Sequence, residues 1–413
     1  MDHINEFEPA GASFEEVYGF LAEARDKAPI FWSEKHQGWI VTRYDDVVKI
    51  ARSGAFTVEN ALQAAQGGAY CPEAARILGT GVDWNKTRHV QSGDGPDHAR
   101  FRRAIMGVIN PKRLREMQPI VDGLVERLID GFIARGSCEY VSEFAYPLAM
   151  LTTLNLIGFN EAEDDMSHFP VWIDDTFRLL LAALTEEEQV SAAKNAVAFQ
   201  DYIRAKIVAR RENPKDDLLS DILAELSSGR ANLTEDELVI MFTHSFVGAG
   251  HETTKLALTN TIYHLLEKRE RWNALLANPD RVSDFVEESL RFDAPLLAWF
   301  RYCTEDSEIG GQTIRKGDKV VMMLGSANHD AGKYGDSEQF CPFRGEAVPH
   351  MTFNTGKHFC AGAPLARMEL NAALAHLSRR IPSLRLKPDQ AISYVPNFGS
   401  RVITALQLEW DVA

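Results

Sequence analysis

The stretch "TEDELVIMFTHSFVGAGHETTKLALTNTIYHLLEKRERW" limits this chain more than any other. Thr234 and Glu237 stand at the spacing of a capping box, and the helical pattern behind them runs for roughly 34 residues, about 50 Å. An element that long crosses a whole domain. Its middle nevertheless holds Gly248, Ala249 and Gly250, each glycine weakening a helix interior by about 1 kcal/mol. Glu252, Thr253 and Thr254 then put polar groups into an otherwise apolar centre. A helix that weakens itself at its buried midpoint has something pressed against it there. A packing glycine at a helix crossing, with threonine bonding back to its own helix, accounts for the same residues.

Composition narrows the class. With 413 residues, 45% hydrophobic and 25% charged, the chain can bury a large core as one domain or as two to three. A net charge of −15 argues against general nucleic-acid binding, which needs a basic face. Cys71, Cys138, Cys303, Cys341 and Cys360 are odd in number and form no C-x-x-C pair. That is poor material for a disulfide framework or a structural zinc site, and it fits a reducing cytosol. The opening "MDHINEFEPAGASFEE" is acidic and reads as neither a signal peptide nor an anchor. "YPLAMLTTLNLIGF" (146–159) is interrupted by Thr152, Thr153 and Asn155 and is too short to span a bilayer. A cytoplasmic protein with no membrane partner is expected.

No repeat, low-complexity tract or linker interrupts the chain, so a single domain over residues 1–413 is expected. Ser13 and Glu16 open a helix with a second capping box, and "PIFWSE" and "QGWIVTRY" alternate like strands. The fold class is mostly α with small β-sheets. The β-rich part is read at about 28–60, about 295–325 and the C-terminal tail. The helical part is read at about 96–292 and about 361–380.

"FNTGKHFCAG" (353–362) brackets one cysteine with glycines just before the helical run "AGAPLARMELNAALAHLSRR". Cys360 would face unsatisfied helix N–H groups there, which favour a thiolate. Gly356 and Gly362 permit a tight turn and the close approach of a flat ligand, and Phe353 can shield the sulfur. F-x-x-G-x-H-x-C-x-G resembles the haem-binding loop of the cytochrome P450 superfamily, of the bacterial type. Glu288 and Arg291 resemble its E-x-x-R, and Arg344 in "CPFR" resembles the third partner of that structural cluster. His98 and Arg102 in "DGPDHARFRR", Arg301 in "FRYCTEDSEIGG" and His358 resemble its haem-propionate contacts. "AGHETT" (249–254) resembles its oxygen-activating acid and alcohol. "ANHD" (327–330) replaces the commoner A-N-R-D, which puts a local surface contact in doubt.

The resemblance implies the cytochrome P450 fold, with haem b between the long central helix and the cysteine loop. It implies a monooxygenase that puts one atom of O₂ into a substrate and releases the other as water. Cys360 thiolate would be the iron ligand; Thr253 would hold dioxygen and order water, Glu252 would relay protons, and Ala249 would lie against the haem. The small residues at 248–250 would leave room for O₂ and water. Electrons from NAD(P)H would arrive through a separate [2Fe–2S] ferredoxin or flavodoxin with its reductase. Arg100, Arg103, Lys112, Arg113, Arg115 and Lys357 could form its dock on a monomeric protein.

By helical count, Ser245 and Gly248 share a face with Ala249 and Thr253. Leu296, Leu297, Ala298 and Phe398 fall at family-like pocket positions, with His244 as a further polar handle. Trp84 in the 71–92 loop, with Phe169 and Phe177 in the 165–190 region, would supply the lid. The pocket so described is mainly apolar. It suits hydroxylation or O-demethylation of a small or medium hydrophobic molecule, such as a terpenoid or substituted aromatic. A peroxide-driven P450 or a non-enzymatic haem-binding protein is the alternative; the Glu252–Thr253 pair argues for the O₂-dependent route.

Overall fold

The computed structural model describes residues 11–59, 70–181, 184–345 and 348–412. Residues 1–10, the acidic start of the chain, lie outside them. The chain falls into two compact units. The first is Met1–Thr57, Val121–Leu148 and Thr253–Ala413; the second is Val58–Ile120 and Ala149–Glu252. Among the described residues every strand belongs to the first unit, and the second is helical.

The first unit carries strands β1 (Ile30–Ser33), β2 (Gly38–Val41), β3 (Phe56–Thr57), β4 (Ser137–Glu139), β5 (Trp299–Cys303), β6 (Ser307–Ile309), β7 (Gln312–Ile314), β8 (Lys319–Met322), β9 (Arg385–Leu386) and β10 (Gln407–Glu409). The main sheet runs β1-β2-β8-β5-β3. β1 and β2 form a hairpin with Ile30 opposite Val41 and Ser33 opposite Gly38. β2 then pairs in parallel with β8, Trp39 opposite Val320. Gly38 is needed at that junction, because a Cβ there would stand 2.9 Å from the Lys319 carbonyl oxygen.

Alternation sends neighbouring residues to opposite faces. Ile30, Val41, Val320 and Met322 face one core cluster with Val47 and Ile50 of the helix Tyr44–Arg52. Phe31, Ile40, Val321 and Met323 face another with Val17, Tyr18 and Leu21 of the helix Phe14–Lys27. Both arms of the Ser13–Glu16 capping box are present on that helix. β4 interrupts the region read as helical: Gly136, at φ +72°, ends the helix before it, and Cys138 pairs opposite Leu408 of β10.

In the second unit the helices Phe169–Leu181 and Glu186–Glu212 share an aromatic core. Phe169 is fully buried there, its ring centroid 5.4 Å from Tyr202 and 6.0 Å from Phe199. Gln200 grips the loop before Trp84, accepting from the Val82 amide at 2.7 Å and donating to its carbonyl at 3.1 Å.

The long helix begins with the expected capping box and is helical throughout Glu235–Glu267. It is not uniform. α-Helix over Glu235–Ile240 gives way to π-helix over Met241–Gly248, and α-helix resumes over Ala249–Glu267. Thr243 Oγ1 donates to the Val239 carbonyl at 2.9 Å, the back-bonding that competes with a regular ladder. The α-helical count from Thr253 to Ala249 stands. The further count to Ser245 crosses the wider turns and does not give its face.

Candidate active site

Local backbone shapes the cysteine loop. A turn at Met351–Phe353 is followed by Asn354 at φ +57°, whose side-chain oxygen accepts from the Thr355 amide at 2.8 Å. With ψ at −165° this is not the left-handed helical well that asparagine tolerates but a region otherwise kept to glycine, so the backbone at Asn354 is strained. Gly356 is required twice: its φ is +71°, and a Cβ would stand 3.2 Å from the Ala51 carbonyl oxygen. The Cys360 amide donates to the Phe353 carbonyl at 2.9 Å, which closes the loop. The cysteine is exposed, just ahead of the helix Ala363–Arg380. Gly362 has an ordinary φ of −81°, so its use is spatial. A Cβ there would lie 3.8 Å from the sulfur.

Phe353 is buried, and the Arg367 guanidinium lies 4.5 Å from its ring centroid. Arg367 is held in turn by Glu287, at 2.6 and 2.8 Å, and Glu287 accepts from His350 at 3.2 Å. Sequence reasoning missed this brace. Its signal is faint: Glu287 stands beside the motif residue Glu288, and Arg367 lies on the helix after the loop. Burial raises the Glu287 carboxyl, but Arg367 and His350 outweigh it and hold its pKa at about 2. A depressed carboxyl stabilises the fold above its unfolded value of about 4.3 and loses that contribution as pH falls through its folded value. Glu287→Gln should therefore remove part of the loss in melting temperature seen between about pH 4.3 and about pH 2. An unchanged acid limb in thermal melts would refute that.

The E-x-x-R residues form a buried clamp. Arg291 donates to both oxygens of Glu288 at 2.8 Å, and to the carbonyls of Asn328 (2.7 Å), Ser337 (2.9 Å) and Gln339 (3.0 Å). Arg344 joins at 3.3 Å, and the Cys341 amide donates to Glu288 at 2.6 Å. The clamp thereby anchors the segment that leads to the cysteine loop. His329 of "ANHD" is no surface residue. It is buried, 2.7 Å from the Phe292 carbonyl and 2.8 Å from Glu338, so in place of the surface contact put in doubt by this departure it makes core contacts.

Arg301 sits in β5, opposite Val320, 1% exposed, and donates to the Phe300 carbonyl at 2.8 Å. His358 is half-buried in the turn Gly356–His358. In the second unit His98 is buried and Arg102 half-buried, four residues apart on the helix Gly95–Val108. Arg100 of that helix is not open to a partner, being paired with Asp97 and Glu237 and bonded to the Asn232 carbonyl. Arg113 is likewise taken by Asp216 and Asp221, at 3.0 and 2.8 Å. Arg103, Lys112, Arg115 and Lys357 are exposed.

Glu252 and Thr253 are half-buried in the central helix. The room expected at the glycines is partly filled. A Cβ on Gly248 would stand 3.2 Å from the Phe177 ring, and one on Gly250 would stand 3.0 Å from Thr153 Oγ1. Close packing therefore explains both glycines. Phe169 belongs to the aromatic core and not to a lid, whereas Phe177 is half-buried against Gly248. Leu297 and Ala298 are core residues beside Tyr18 and Leu21, while Leu296 and Phe398 are half-buried. Trp84 is buried with its ring stacked on His244, and Ser245 donates to Gln91 at 2.8 Å. Gln91 was not singled out from the sequence.

The donor set decides what kind of centre Cys360 can serve. Among the described residues no group of three or more His, Cys, Asp and Glu side chains is placed to chelate a metal ion. A single exposed thiol suits a metal whose other ligands come with it, as in a macrocycle. The missing Cβ at Gly362 leaves the space beside the sulfur that a flat group needs. The residues fit haem.

The comparisons agree. The family model "Cytochrome P450" matches residues 144–391. The chain is 30% identical to the biotin biosynthesis cytochrome P450 of Bacillus subtilis, over 95% of this chain and 96% of that one. It is 32% identical to a steroid C26-monooxygenase of Mycobacterium tuberculosis, over 72% and 79%. The solved structure of cytochrome P450 CREJ in complex with (4-ethylphenyl) dihydrogen phosphate superposes with a TM-score of 0.89 at 28% identity, covering 99% of this chain and all of that one. The chain belongs to the cytochrome P450 family. It is a haem-thiolate oxygenase that uses O₂. No helix among the described residues is long and apolar enough to cross a membrane.

Proposed function

We propose that this P450 inserts one oxygen atom of O₂ into a small or medium hydrophobic substrate, by hydroxylation or O-demethylation. The observation that carries the reading is Cys360, exposed on a braced loop just ahead of the helix Ala363–Arg380, with space beside its sulfur. For hydroxylation the balance is substrate C–H, O₂, two electrons and two protons in, and substrate C–OH and water out. The electrons come from NAD(P)H through a separate ferredoxin or flavodoxin system.

Haem, when bound, supplies the iron at which O₂ is reduced, and the thiolate favours O–O cleavage. The protein's own residues do the rest. Cys360 holds the iron as thiolate. His98, Arg102, Arg301 and His358 offer cationic or N–H groups to the propionates. Phe353 covers the sulfur, and Ala249 gives a small surface to the ring. The Thr253 hydroxyl holds a water and hands its proton on, while the Glu252 carboxylate returns a proton from solvent. Trp84, Phe177, Leu296 and Phe398 provide the apolar surfaces that exclude water from the substrate. The relatives' names span biotin, steroid and polyketide chemistry, which supports a hydrophobic substrate without choosing one.

Thr253→Ala is expected to keep haem and to consume NAD(P)H, but to divert electrons to peroxide or water. Product per NAD(P)H should fall by roughly tenfold or more, the size of a lost proton-transfer group. Product yield per NAD(P)H equal to that of the wild type would count against the role of Thr253.

A further inference from the structure

Residues 84–91 and 243–245 of the second unit hold a hydrogen-bond arrangement that the described residues do not complete. Thr243 Oγ1 gives its one proton to the Val239 carbonyl, 2.9 Å away. Toward His244 Nδ1, at 2.8 Å, it can then only accept. His244 therefore carries its proton on Nδ1 and presents Nε2 as a bare acceptor. Burial, with a smaller contribution from His89, lowers the His244 pKa to about 3, so the ring stays neutral at physiological pH. It stacks on Trp84 with centroids 5.9 Å apart and planes 17° apart.

Gln91 completes the pattern. Its Oε1 accepts from Ser245 Oγ at 2.8 Å and from His89 Nδ1 at 3.1 Å, which uses both acceptor sites. The amide Nε2 keeps its two N–H donors. Among the described residues neither Gln91 Nε2 nor His244 Nε2 meets a protein partner, and both residues are only half-buried. The Ser245–Gln91 bond ties this donor to the residue next to this acceptor. The Phe177 ring packs on Gly248 further along the same segment.

We propose that Gln91 and His244 recognise a hydroxyl group on the substrate, the amide N–H donating to its oxygen and its O–H donating to His244 Nε2. The substrate class is then a neutral phenol or alcohol on an apolar body that lies against Trp84. A carboxylate is disfavoured, since the patch offers one neutral donor and a lone pair that would repel it. The proposal rests on the monooxygenase reading, in which Trp84 lies against the substrate.

The test is calorimetric titration of the haem-loaded protein with 4-ethylphenol and 4-ethyltoluene, which differ little beyond O–H against CH₃. The phenol is expected to bind about tenfold tighter, the worth of a buried hydrogen-bond pair. His244→Phe keeps a ring against Trp84 and should abolish the preference while leaving 4-ethyltoluene affinity within about twofold. Gln91→Leu should abolish it independently. A phenol bound no more tightly than the toluene by the wild type, or a preference kept in both variants, overturns the proposal. If the loaded protein shows a thiolate-type spectrum of its reduced carbon-monoxide complex, that failure is confined to the hydroxyl. Absence of that spectrum overturns the monooxygenase reading itself, and this proposal with it.

Discussion

Arg291→Ala is expected to destabilise the protein by about 3–5 kcal/mol, a large part of the roughly 5–15 kcal/mol that holds a domain folded. Arg291 is 3% exposed and Glu288 5%, so neither charge can turn to water when its partner is lost. The deletion would leave the Glu288 carboxylate with Arg344 at 3.3 Å and the Cys341 amide as its remaining partners. It would also strip the donors from the carbonyls of Asn328, Ser337 and Gln339. Those carbonyls lie in the segment that leads to the cysteine loop, so haem retention should fail with stability. Denaturant unfolding gives the number. A midpoint shift corresponding to less than about 1 kcal/mol would mean that the clamp is worth no more than a surface ion pair.

Cys360→Ser should show the reverse profile. The thiol is exposed and its amide bond to Phe353 belongs to the backbone, so the apoprotein should keep its stability to within about 0.5 kcal/mol. Turnover should fall to background, because the hydroxyl of serine does not ionise to a comparable ligand. A variant that melts normally and has lost all product formation separates the role of Cys360 from that of Arg291, whose loss acts through folding. Residual turnover near the wild-type rate would remove Cys360 from the chemistry.

Much of this was legible in the residues. Capping boxes at Ser13–Glu16 and Thr234–Glu237 depend on side chains a few positions apart and formed as read. The strands around Ile40 and Val321 alternate so strictly that both core faces follow from the pattern. The E-x-x-R clamp with Arg344 also formed. What the sequence hides is decided by distant packing. The π-helical turn at Met241–Gly248 is a backbone choice that no local pattern declares, and the α-helical count does not carry through it to Ser245. Phe169 and Phe177 share a helix and a residue type, but eight positions at 100° each set them about 80° apart. One therefore enters the aromatic core and the other meets Gly248. Glu287 and Gln91 were missed because their partners, Arg367 and Ser245, lie far away along the chain.

The most direct test of the whole account is the absorption spectrum of the reduced, carbon-monoxide-bound protein, recorded for the wild type, Cys360→Ser and Cys341→Ser. The wild type and Cys341→Ser are expected to give the red-shifted band of a thiolate-ligated haem, and Cys360→Ser is expected to lose it. A thiolate band that survives in Cys360→Ser, or a wild type without one, would contradict the assignment.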